Sequence, residues 1–177
     1  MSRIYGIVLG VVTDVDHPDG EGAIQVDYPW LNGKRMSRWA PVASPMAGAG
    51  RGIWFPPEVD DEVVLAFDRG DPERPYIVGY LWNGLDGPPS GAVRERMIRS
   101  YNGHTIRFLD STPTAGGNTG GIAIEDAAGN QIVLTNGKVT IRSVGVLEID
   151  APVIVLGNTA NGQPVYRRIV TPNNNPI

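Results

Sequence analysis

The residues of this chain that could do chemistry are few and widely separated. His17 and His104 are its two histidines. His17 sits in the turn "DVDHPDGEG", where Asp14, Asp16, Asp19 and Glu21 could suggest a calcium loop. The ligand spacing and the closing bidentate glutamate of an EF-hand are absent, so a solvated acidic turn is expected. His104, in "NGHTIRF", reads as a strand-start residue. Asp60, Asp61 and Glu62 form the densest carboxylate run, and they read as the entry to a strand. The stretch "TPTAGGNTGGI" (112–122) resembles a phosphate cradle only in its glycines. It lacks the lysine and the following helix of a P-loop, and a mobile loop is expected. With no cysteine, disulfides and thiolate metal sites are excluded. No catalytic residue, metal site or cofactor is expected, and the chain reads as a non-enzyme.

What must position such residues is a run of short strands. Within residues 1–84, "YGIVLGVVTDV", "AIQVDYPW", "RWAPVA", "DEVVLAFD" and "YIVGYLW" are strand candidates. They are separated by "DHPDGEG", "LNGK", "AGAGRG" and "RGDPERP", all rich in turn formers. In "DEVVLAF", Val63, Leu65 and Phe67 alternate with Glu62, Val64 and Ala66, which gives one firmly apolar face. No amphipathic helical run of useful length occurs, so the fold class is all-β and the first half reads as a small closed barrel. The apolar "IYGIVLGVV" near the N-terminus lacks a small-residue cleavage site and is read as a buried first strand, not a signal peptide.

Residues 85–100 begin with the Gly/Pro/Ser-rich "LDGPPSGA" and read as a linker, so the expected domains are 1–84, linker 85–100 and 101–177. All four tryptophans, Trp30, Trp39, Trp54 and Trp82, lie before it. Residues 1–84 carry 7 basic and 12 acidic side chains, a net of −5; the remainder carries 8 and 7, a net of +1. From 101 onward the pattern is again β, with "AAGN" and "TNGK" as turns. Odd positions from 139 onward place Val139, Ile141, Leu147, Ile149, Val153 and Val155 in one apolar row, interrupted at Ser143 and Gly145. A narrow sheet with one uncovered apolar face is not stable alone. Packing against copies of itself around an axis answers this; folding back on the barrel as a sandwich is the alternative.

The motifs "YPW", "AGAGRGIWF", "DEVVLAF", "GDPERP" and "GYLWNG", in this order, resemble the OB-fold domain of contractile-tail spike proteins. These are the phage baseplate assembly protein V and the valine–glycine-repeat spikes of injection and secretion machines. The resemblance is dense over 4–84. "GHTIRFLD" and "GIAIEDAAGNQIVLTNGKVTI" are similar to the strands that open the family's intertwined trimeric β-helix. The resemblance implies an OB-fold barrel followed by that β-helix. It implies barrel-bracing roles for Trp30, Trp39, Trp54, Asp71, Pro72, Pro75 and Trp82, and a trimer-axis core at the odd-position row. The implied function is that of a homotrimeric spike at the end of a tail tube. Such a spike docks to a baseplate hub protein and punctures the target cell envelope mechanically, as part of a virion or injection particle assembled from cytoplasmic protein.

Where the family has glycine before "DEV", this chain has Asp60, a residue that tolerates left-handed backbone. Some phage spikes of this family hold an apical iron with an H-x-H motif from each chain, and none occurs here, so no such metal is expected. The lysozyme domain that some members insert after the barrel is likewise missing. The polar tail "TPNNNPI" does not suit a rigid apex, so a separate small tip (cone) protein is expected at the C-terminal end, with closure by the tails themselves as the alternative. The rival function is a single-stranded nucleic-acid-binding OB domain. That needs a basic groove, which a barrel of net −5 disfavours, so no nucleic-acid partner is expected.

Overall fold

A computed structural model describes residues 3–28, 36–112 and 119–152, and the backbone of 157–160 and 163–166. Trp30, Val153, Val155, residues 113–118 of the glycine-rich stretch and the polar tail lie outside the described residues. The described elements are strands and one short 3-10 turn. The chain forms two compact units, Met1–Pro89 and Ser90–Ile177.

The first unit contains β1 (Val8–Asp14), β2 (Ile24–Asp27), β3 (Ser37–Ala40), β4 (Ala47–Gly48), β5 (Arg51–Gly52), β6 (Glu62–Phe67) and β7 (Pro75–Tyr80). Five of these form one antiparallel sheet in the order β3-β2-β1-β6-β7. Its two edges meet. Val42, just past β3, opposes Ile77 of β7 in parallel, Ala43 N–H donates to the Ile77 carbonyl at 2.8 Å, and Ile77 N–H donates to the Pro41 carbonyl at 3.0 Å. Register shifts between Val12 and Asp14 and between Val64 and Leu65 supply local bends of the kind that help a sheet to curl. A five-stranded sheet curled in this way, with a parallel contact between its third and last long strands, is the OB topology.

Alternation along the strands fills the barrel. Val12, Ile24, Val26, Tyr28, Ala40, Val63, Leu65, Phe67 and Ile77 form its core. Gly10 of β1 lies against Leu65 of that core. A Cβ there would meet Leu65 Cδ1 at 2.6 Å, so β1 needs a residue without a side chain at this point. The stretch "AGAGRG", expected as a plain turn, is a small hairpin of β4 and β5. Two-residue strands of alanine, glycine and arginine carry no alternation for a sequence reading to detect.

The second unit is an antiparallel meander of β8 (Glu95–Arg99), β9 (Thr105–Asp110), β10 (Gly120–Glu125), β11 (Gln131–Thr135) and β12 (Lys138–Arg142), in the order β12-β11-β10-β9-β8. A separate pair, β13 (Gly157–Ala160) and β14 (Gln163–Tyr166), follows. Residues 95–99, assigned to the linker by composition, are strand β8, paired with β9 from Glu95↔Leu109 to Arg99↔Thr105. Charged side chains at Glu95, Arg96 and Arg99 hid the period-2 pattern there. No helix among the described residues is long and apolar enough to cross a membrane.

Candidate assembly interface

The register of the second unit stacks like residues across the whole sheet. Ile98 lies opposite Ile106, which lies opposite Ile124, then Ile132, then Ile141, one isoleucine from each of β8 to β12. The neighbouring row on the same face is Arg96, Phe108, Ile122, Leu134 and Val139. These nine apolar side chains are open to solvent in the single chain, from Ile122 at 37% to Val139 at 65% exposed. An Arg96–Asp110 ion pair of 2.7 Å borders them at the β8 edge.

The opposite face carries a network of ion pairs centred on Arg107. Arg107 pairs with Glu95 at 3.4 Å and with Glu125 at 2.7 Å. Gln131 Nε2 donates to Glu125 Oε1 at 3.0 Å and Ser90 Oγ donates to Glu95 Oε2 at 2.5 Å. Ala123 beneath them is buried. One face is therefore built around an ion-paired network, while the other exposes a large contiguous apolar patch, the signature of a surface that another molecule covers.

Val139 and Ile141 belong to this patch as members of β12. Leu147 and Ile149 are also exposed, but they follow the end of β12 on irregular backbone. There Ser143 Oγ donates to the Val146 carbonyl and accepts from Gly145 N–H. Ser143 and Gly145, the interruptions in the sequence row, thus sit in a local bend. Ile98, Ile106, Ile124 and Ile132 were not singled out from sequence. Their alignment is a matter of register, which turn geometry sets and strand pattern alone does not.

In the barrel, "GDPERP" is braced from several sides. Asp68–Gly70 is a 3-10 turn with Arg69 at φ 51° and Gly70 at φ 77°. Asp71 Oδ1 accepts from Glu73 N–H at 3.0 Å, and Ile4 N–H donates to the Gly70 carbonyl at 2.8 Å. Glu73 pairs with Arg38 of β3. Pro72 and Pro75 are buried, and the Pro72 carbonyl accepts the Tyr28 hydroxyl at 3.3 Å. Trp39 meets the His17 ring edge-on at 4.7 Å, while Trp54 lies over Gly22 and Trp82 is exposed. Asp60 stands in left-handed backbone at φ 76°, as its place in the turn requires. Among the described residues no group of three potential metal ligands converges. His17 Nδ1 accepts from Asp19 N–H, and His104 Nδ1 from Ala127 N–H.

Residues 8–82, which hold the curled sheet and these braces, match the family described as the type VI secretion system/phage-baseplate injector OB domain. The match covers the N-terminal barrel almost from end to end. The type VI secretion system spike protein VgrG3 of Vibrio cholerae is 25% identical over 135 residues, 74% of this chain and 12% of its own length. That span exceeds the first unit and so reaches into the second. The spike protein VgrG2a of Pseudomonas aeruginosa is 29% identical over 117 residues, 59% of this chain and 14% of its own. The V. cholerae protein named actin cross-linking toxin VgrG1 is 30% identical over 90 residues, 45% of this chain and 8% of its own. The chain thus spans only a small part of these relatives.

Proposed function

We propose that this chain is the central spike of a contractile tail or injection machine, working as a homotrimer. The injector OB domain would dock to the baseplate hub at the tube end. The following β segment would form an intertwined trimeric needle that carries the force of contraction to the target envelope. The observation that carries this reading is the two-row apolar face of β8–β12, which follows a barrel of the injector family and has no cover within the described second unit. Three copies meeting through that face would give a shared apolar core and leave the Arg107 network outward. A needle built so has its strand edges paired between chains, which suits a rod under load. A separate small cone protein at the C-terminal end remains part of this reading.

Light scattering on the purified chain tests it. The expected mass is three times the 19.0 kDa chain mass. A well-folded monomer at micromolar concentration would overturn the proposal.

A further inference from the structure

A second surface, on the barrel, has no part in that assembly argument. Phe55, Tyr80 and Trp82 wall a cleft of about 350 Å³, with Asp61, Glu62 and Asp86 at its lining and no basic residue among the groups that form it. Its shape is set in advance. The Tyr80 hydroxyl donates to the Phe55 carbonyl at 2.8 Å, Pro56 and Pro57 stiffen one wall, and Asp61 Oδ2 is fixed by Glu58 N–H at 2.8 Å. The aromatic walls stay open, with Trp82 66% exposed. Burial, and secondarily the Asp61 charge, hold the Tyr80 phenol above its ordinary range, so it stays a neutral hydrogen-bond donor at working pH.

Aromatic faces beside carboxylates attract a planar cation. The guanidinium of arginine stacks on the rings and pairs with the carboxylates at once. Exposed aromatics on an OB barrel also suit the stacking of nucleic-acid bases, but three carboxylates in the same cleft repel the phosphates that bases bring with them. From this complementarity we infer that the cleft is a docking slot for an extended, arginine-bearing segment of a partner protein. The slot lies within the first unit and does not depend on trimerisation.

Calorimetric titration of the full chain with a capped hexapeptide of alternating arginine and proline tests the assignment. Proline keeps the probe extended and lowers its ordering cost. The same peptide with citrulline for arginine keeps the shape without the charge and should bind about fivefold or more weakly. W82A and E62Q should each weaken the arginine peptide by about three- to tenfold; Trp82 is exposed and Glu62 is an outward strand residue, so the barrel stays folded in both. Equal binding of the two peptides, no binding of either, or indifference to W82A would overturn the slot. So would an oligothymidylate that displaces the arginine peptide. Should W82A instead lower the solution mass of the assembly, a neighbouring copy fills the cleft and the partner assignment falls.

Discussion

The hydroxyl of Tyr28 reaches the carbonyl of Pro72 at 3.3 Å, joining the end of β2 to the "GDPERP" loop across 44 residues of chain. Tyr28 is fully buried, and its ring meets Phe67 edge-on at 5.6 Å. The motif proline and the core tyrosine therefore act as one brace: the ring fills the barrel end and the hydroxyl ties down the loop that closes it.

Tyr28→Phe should cost about 1 kcal/mol of stability at pH 7, through the lost hydrogen bond. The alkaline response should move the other way. Burial is the main cause that raises the Tyr28 pKa in the fold, while in the unfolded chain tyrosine ionises near 10. Stability is then unaffected below about pH 10 and falls as pH rises further, because the unfolded state loses its proton first. Phenylalanine removes this term. Urea denaturation at pH 7 and above pH 10 should show the variant losing less to alkali than the parent.

Asp60 offers a sharper test of backbone strain. Its N–H donates to the Val12 carbonyl at 2.9 Å while φ is held at 76°. Left-handed backbone costs an ordinary L-residue about 1–2 kcal/mol, and aspartate less. Asp60→Gly should lie within about 0.5 kcal/mol of the parent or be more stable. Asp60→Val should lose about 1–2 kcal/mol. Chemical denaturation of both variants decides it; equal stability of the two would show that the turn relaxes.

The barrel was largely legible because its strands alternate cleanly and its turns carry glycine, proline and aspartate. Val63, Leu65 and Phe67 read as core and are core. Other features were not legible. The parallel closure at Pro41–Ala43 lies in "RWAPVA", which reads as a strand but carries no signal for its partner Ile77, 35 positions away from Val42. Strand β8 is masked by its charges. The isoleucine row exists only once five strands are in register, so each isoleucine looks ordinary in its own strand. Tyr28 continues the alternation of Ile24 and Val26 and shares their buried face, which the pattern of this strand already implies.

At the β10–β11 turn, Asp126 accepts from the side chain of Asn130 at 2.6 Å and from the backbone N–H groups of Asn130 and Ala128 at 2.8 and 2.9 Å. These bonds, the Asn130 side chain foremost, lower its pKa below the usual aspartate value. The group therefore contributes stability above about pH 4, and the contribution is lost as pH falls through the lowered value. Asp126→Asn should abolish this acid sensitivity of the turn. Hydrogen exchange at Gly129 and Asn130, followed from pH 5 to pH 2.5, reads the effect.

Ile124 stands at the centre of the apolar face, on β10 between Ile106 and Ile132. In the single chain it is 43% exposed, so aspartate there costs an isolated sheet little. In a three-fold core the same change would bury three carboxylates with no cation to pair them, a penalty of several kcal/mol that apolar neighbours cannot offset. Ile124→Asp should therefore reduce the solution mass from three chains to one while the barrel stays folded. Lys138→Glu, an equally abrupt charge change on the opposite face, should leave the mass unchanged. A fragment ending at Pro89 should be monomeric, since it keeps the barrel and lacks the apolar rows. Were Ile124→Asp still trimeric, with Pro89 truncation also trimeric, the barrel itself would hold the copies together and the isoleucine face would need another occupant.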